Sequence, residues 1–144
     1  MGNSAIFLPM LSTMGLTAVV WFYMYARRIP AMYKAGLVAQ TYTTPDTVAE
    51  HLPEEVNYSA YNLKNLFELP ILFYGLCLYL GASGNTDALY VAAAWAFFIF
   101  RVLHSIVHCT KNIVMLRFNL YLGGAVVLWL MLGRALFVEL AVHL

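Results

Sequence analysis

Four long apolar runs, each able to cross a lipid bilayer, constrain this 144-residue chain more than any other feature. Residues Ile6 to Ala26 carry no charge, and at about 1.5 Å of rise per residue they match a hydrocarbon core about 30 Å thick. Arg27, Arg28 and Pro30 are expected to end that span. Further spans are expected from about Tyr58 to Leu80, from Ala88 to about His108, and from about Ile113 to Phe137. The first run has no basic segment before it and exceeds the apolar core of a signal peptide, so a retained span is expected. Only 10% of the residues are charged, 62% are hydrophobic, and the mean hydropathy is +0.74. A soluble domain carries about 25% charged residues, and so few charges cannot cover its surface. The expected fold is therefore an all-α membrane protein, a single four-transmembrane-helix bundle over residues 1–144, with no room for a separate soluble catalytic domain.

The connections give the topology. The long first one, TYTTPDTVAEHLPEEVNYS, holds Pro45 and Pro53 among its acidic residues and reads as an interfacial loop. The short turn GASGNTD makes the second and third spans antiparallel neighbours, and the third and fourth are joined as tightly around Thr110 to Asn112. Arg27, Arg28, Lys34, Lys64, Lys111 and Arg117 fall on the side of the first and third connections, against Arg134 alone on the other. Cytoplasmic flanks are enriched in Lys and Arg, so both termini are expected to face away from the cytoplasm. A net charge of +1 and the lack of a basic block exclude nucleic-acid binding. Cys77 and Cys109 form no CxxC pair and read as reduced packing residues. Aromatic residues read as membrane belts and lipid-facing surface, and Gly123 with Gly124 as a small pair for oligomer packing.

Ionisable residues inside spans are expensive, so they pair, or face a bundle interior or polar cavity. Glu68 and Arg101 are nearly equidistant from Gly84 at the centre of the turn, which predicts one depth and an ion pair between them. The same count sets Asn65 beside His104 and Tyr61 beside His108. Tyr61, Asn65 and Glu68 share one helical stripe, as do Arg101, His104 and His108. Such a constellation reads either as a buried network that joins two helices or as a functional site. His104 and His108 at i, i+4 also admit a metal, with Glu68 as third ligand. Ser105 follows His104 where an HExxH motif needs Glu, and the spans hold no second His pair, so no metal is expected.

The segments NLKNLFELPILFY and RVLHSIVHCTKNIVMLRF resemble the MAPEG family, the membrane-associated proteins of eicosanoid and glutathione metabolism. Asn65 and Glu68 fall on its N-x-x-E motif, and Arg101 with His104 on the R-x-x-H pattern of its prostaglandin E synthase branch. His108 stands where that branch has Tyr, and Arg117 where the family places the arginine that holds the glutathione thiolate. Either Arg27 or Arg28 matches the basic residue that ends the first span. The resemblance implies a homotrimer in a bacterial inner membrane, with glutathione as co-substrate between subunits near the cytoplasmic face. Its expected activity is that of a glutathione transferase or peroxidase on lipophilic electrophiles from the bilayer. On this reading Arg117 is catalytic, while Arg27, Arg28, Lys64, Asn65, Glu68, Arg101, His104 and His108 bind glutathione. Arg27, Arg28 and Lys64 would take its carboxylates, and Glu68 its ammonium. Two departures stand out: Tyr61 and Asn62 replace an expected arginine, and Phe118 replaces a serine. They favour the alternative, a non-catalytic accessory subunit that keeps the fold and serves a larger membrane complex.

Overall fold

A computed structural model of the chain describes residues 3–36, 40 and 44–144, and among these residues it contains helices and no strand. A 3-10 turn, Asn3–Ile6, leads into α1 (Phe7–Lys34), followed by the short α2 (Pro45–Glu50). Then come α3 (Glu54–Leu66), α4 (Leu69–Ser83), α5 (Ala88–Cys109) and α6 (Val114–His143). Helices α3 and α4 run end to end, so the chain has four membrane-crossing segments: 4–34, 54–83, 88–109 and 114–143. Helix α5 sits centrally, against α1, α3 and α6. Of the most apolar stretch of α6, only 22% is buried within the chain, so most of its surface is left for lipid or a neighbour.

The first span continues past Arg27, Arg28 and Pro30 to Lys34. Charge marks where hydrocarbon ends, not where a helix must end. At the interface, water can satisfy the Ala26 carbonyl that Pro30 leaves without its i+4 donor. The expected first loop is largely helical in its second half: Thr44 and Thr47 cap α2 reciprocally, and α3 starts at Glu54. Residues 41–43 of that loop lie outside the described residues.

The second span is not one helix. Pro70 has no N–H, and in a continuous helix its ring would clash with the Leu66 carbonyl; the chain leaves the helix at Phe67 and Glu68, and Leu69 and Pro70 open α4. Gly84 then ends α4 with φ at 75°, a conformation that suits glycine, and Asn112 makes the α5–α6 turn with φ at 48°. The apolar centre is built on Phe73 and Phe97, stacked with ring centroids 4.3 Å apart, with Leu76, Leu80, Ala94 and Leu128 around them. In lipid this close packing supplies most of the helix association. Within the chain Gly123 and Gly124 also serve the packing of α6 on α5. A Cβ at Gly123 would lie 2.6 Å from the Phe100 ring, and one at Gly124 2.8 Å from Arg101 Nη2. Cys77 and Cys109 are both free thiols.

At the α4–α5 end, Asp87 accepts the Tyr90 backbone N–H at 2.9 Å, which caps α5, and pairs with both terminal nitrogens of Arg134. The Arg134 guanidinium lies 4.2 Å above the Tyr90 ring. Hydrogen bonds from Arg134, then from the Tyr90 amide, hold the Asp87 carboxyl down at about 2. A depressed carboxyl adds stability that is complete above its unfolded value and is lost as pH falls through the folded one. Lowering the pH from about 4 to about 2 should therefore reduce the thermal midpoint of wild type more than that of Asp87→Asn. Parallel melting curves across that range check this; equal slopes would mean the clamp adds nothing.

Candidate functional site

Helix α5 turns Arg101, His104 and His108 inward, with exposures of 1%, 2% and 2%. Gly124 makes room for the guanidinium of Arg101 between α5 and α6. Arg101 Nη2 donates to the Tyr121 carbonyl at 3.0 Å, and the guanidinium stacks 4.7 Å above the Tyr121 ring and 5.4 Å from that of Phe97. Its Nε and Nη1 are buried without a partner. A buried cation with unused donors is costly, and costlier inside a membrane, so packing alone gives no reason for an arginine here.

Among the described residues Glu68 and Arg101 form no direct ion pair. Tyr121 stands between them: its hydroxyl donates to Glu68 Oε2 at 3.3 Å and its carbonyl accepts from Arg101. The expected layers are also shifted by a turn. The Asn65 amide donates to His108 Nδ1 at 3.4 Å, while His104 Nδ1 donates to the Arg117 carbonyl at 3.1 Å. The break explains the shift. Each non-helical residue advances the chain by up to roughly 3.3–3.6 Å rather than about 1.5 Å, so Asn65 lies deeper toward His108 than a helical count gives. The break also resets the helical phase, so the Tyr61, Asn65, Glu68 stripe is not continuous. Tyr61 faces a different space, a cavity of about 380 Å³ that it lines with Arg28, Lys64 and Asp46.

The bonding partners set the two imidazoles as opposite tautomers when neutral. A carbonyl faces His104 Nδ1, so the proton sits there and Nε2 is a buried acceptor without a partner. An amide N–H faces His108 Nδ1, which leaves its proton on Nε2. The rings are perpendicular with centroids 5.4 Å apart, and among the described residues no group of three or more His, Cys, Asp or Glu is placed to hold a metal ion.

Arg117 lies one helical turn before Tyr121 in α6, half-buried, with Nη1 donating to Asn112 Oδ1. Six predicted residues are thus linked around Tyr121: Glu68, Arg101 and His104 touch it, His108 and Asn65 follow through the His104 ring, and Arg117 joins by its backbone carbonyl. The other three do not join them in the single chain. Arg27 is exposed and donates to the Tyr23 hydroxyl at 3.2 Å; Arg28 donates to the Pro45 carbonyl at 3.2 Å; Lys64 is 3.8 Å from Asp46. Two site residues escaped sequence reasoning. Tyr121 reads in the sequence as one more belt aromatic. Asn62, fully buried, donates to Cys109 Sγ and accepts from Ser105 Oγ, each at 3.5 Å, and so ties α3 to α5.

The MAPEG family model matches residues 6–137, nearly the whole chain. The chain belongs to the MAPEG family. No curated protein and no solved structure matches it. MAPEG is a membrane family, and its four apolar segments make this MAPEG protein an integral membrane protein. The match includes all six residues linked around Tyr121, and membership supports a membrane glutathione-related role in general.

Proposed function

We propose that this MAPEG protein binds glutathione around Tyr121 and conjugates it, through its sulfur, to lipophilic electrophiles that reach the site from the bilayer. The observation that carries the reading is Arg101, a buried guanidinium with two donor nitrogens, Nε and Nη1, left without a partner, near an exposed carboxylate, Glu68. Glutathione brings two carboxylates, one ammonium and one thiol. Arg101 meets a carboxylate, and Glu68 the ammonium. Arg117 holds the sulfur as thiolate, against an ordinary thiol pKa of about 8.5. The peptide links have His104 Nε2 as acceptor and His108 Nε2–H as donor. The thiol proton leaves to water, and the sulfur pair forms a bond to the electrophilic carbon as the leaving group departs with its own electrons. With a hydroperoxide the same thiolate attacks the terminal oxygen, the O–O bond breaks and its pair leaves with the alkoxide, which takes up a proton to become the alcohol; a second glutathione thiol then displaces water from the sulfenic acid to close the disulfide.

Glu68 is exposed near the middle of the second span, where a lone carboxylate in lipid is costly, so a neighbouring copy is the natural cover. A homotrimer in a bacterial inner membrane, termini away from the cytoplasm, meets that need. It also lets Arg27, Arg28 or Lys64 of one copy complete the carboxylate contacts of the next. Two observations favour a non-catalytic accessory subunit instead: Phe118 offers no hydroxyl beside Arg117, and Asn62 is engaged within the chain. Calorimetric titration of detergent-purified protein with glutathione separates the two. Saturable binding is expected. Absence of binding, together with a stoichiometric co-purifying membrane partner, would put the accessory role first.

A further inference from the structure

The cavity of about 380 Å³ walled by α1, α2 and α3 shares no lining residue with the group linked around Tyr121. Its size falls in the range of small-ligand sites, roughly 300–1,000 Å³. Three charged residues line it: Arg28, Lys64 and Asp46. Arg28 Nη2 donates to the Pro45 carbonyl at 3.2 Å, while its Nε is buried with no partner among the described residues. Lys64 lies 3.8 Å from Asp46, at the outer limit of an ion pair, and both side chains are mostly exposed, so the pair restrains the ammonium only weakly. Two cations against one carboxylate leave the cavity with an excess of positive charge. Its apolar lining has a definite depth. Arg28 follows the uncharged run that ends at Ala26, and Met24 lies one helical turn back into that run. Phe67 lies one turn beyond Lys64 on the way from α3 to α4, again toward the bilayer centre. Each cation thus stands at the membrane boundary with an apolar side chain one turn deeper on the same wall.

We infer that this cavity holds an anionic membrane phospholipid, its phosphate against Arg28 and Lys64 and its glycerol and upper chains against Met24 and Phe67. The layering of charge over hydrocarbon matches a molecule with the same layering, and a lipid reaches the site without leaving the bilayer. A phosphate oxygen gives the Arg28 Nε the acceptor it lacks, and a guanidinium suits phosphate geometry. Basic pockets between membrane helices take anionic headgroups for these reasons. A free hydrophilic anion gains nothing from Met24 and Phe67, and a metal cation meets charge of its own sign. A zwitterionic lipid carries an ammonium of its own, for which the cavity offers only Asp46. The inference goes beyond the glutathione reading and does not rest on it. Arg27, bonded to Tyr23 and not part of the lining, stays available to a neighbouring copy.

The test adds phosphatidylglycerol or phosphatidylcholine of identical chains to the delipidated full-length protein in a neutral detergent, and counts retained lipid by mass spectrometry of the intact complex. Wild type should prefer phosphatidylglycerol by about fivefold or more, the usual weight of one basic residue at a membrane surface. Arg28→Gln and Lys64→Gln should each lower its retention about fivefold. Ala60→Phe changes no charge but fills part of the cavity, whose lining includes Ala60, and should expel the lipid. Asp46→Asn removes the one carboxylate and should raise retention several-fold, a gain that misfolding cannot produce. Equal retention of the two lipids, an unchanged preference in both Arg28→Gln and Lys64→Gln, or a fall in Asp46→Asn would each overturn the site. Full retention in Ala60→Phe would also overturn it, by placing the lipid on the open surface. Inorganic phosphate that displaces phosphatidylglycerol at equal concentration would show a free-anion site in place of a lipid site.

Discussion

Arg117→Ala is expected to eliminate the ultraviolet absorbance of bound glutathione thiolate and to lower turnover by about two to three orders of magnitude, as removal of one anion-stabilising donor does elsewhere. The proposed chemistry begins from a thiolate. Without a fixed cation, only a few per cent of a thiol with a pKa of about 8.5 is ionised at neutral pH. In the resting chain Arg117 is half-buried and, among the described residues, its side chain bonds Asn112, so truncation strands no deeply buried charge. Helix content and oligomeric mass should therefore match wild type. Arg117→Lys keeps the charge and should recover part of the thiolate signal. Turnover by Arg117→Ala equal to that of wild type would show that the sulfur is activated elsewhere.

Arg101→Met should make the protein more stable and less able to bind. The guanidinium has one hydrogen bond, to the Tyr121 carbonyl, and two buried nitrogens with none. Replacing buried charge by an apolar side chain of similar volume is often neutral or stabilising by about 1–4 kcal/mol, because the desolvation cost disappears. Met is unbranched and can follow the same path over Gly124. The predicted pair of results is a raised thermal midpoint and weakening of glutathione binding by at least about tenfold, the worth of a charge-assisted contact. A lowered midpoint would mean that stacking on Tyr121 and Phe97 outweighs the missing hydrogen bonds, which would make Arg101 a structural element.

The four spans were legible because an apolar stretch of membrane length has few other uses, and the six clustered residues because charge inside such a stretch needs a reason. The pairing among them was not legible. Counting residues from Gly84 assumes one uniform rise, and the assumption fails at Phe67 and Glu68. The signal was present in Pro70, which lacks an N–H and cannot continue a helix from the turn before it. Tyr121 and Gly124 were hidden for a different reason. Nothing in their spacing distinguishes a tyrosine that bridges Glu68 to Arg101 from one at a membrane interface, or a glycine that admits a side chain from one that admits a second subunit. Those assignments need the α5–α6 interface itself.

The same break bears on how the chain enters a membrane. The 15 residues of α4 extend roughly 22 Å, well short of the ~30 Å of hydrocarbon, so α4 cannot cross alone. The remainder must come from α3, whose Asn62 and Asn65 side chains bond to α5, at Ser105, Cys109 and His108. During synthesis the second span is therefore a poor candidate to leave the translocation channel by itself, because its polar side chains would meet lipid unpartnered. It becomes competent once the third span has been made and folds back across the Gly84 turn. Biogenesis of this protein is thus a pairwise event, in which residues 54–109 partition into the bilayer as one helical hairpin.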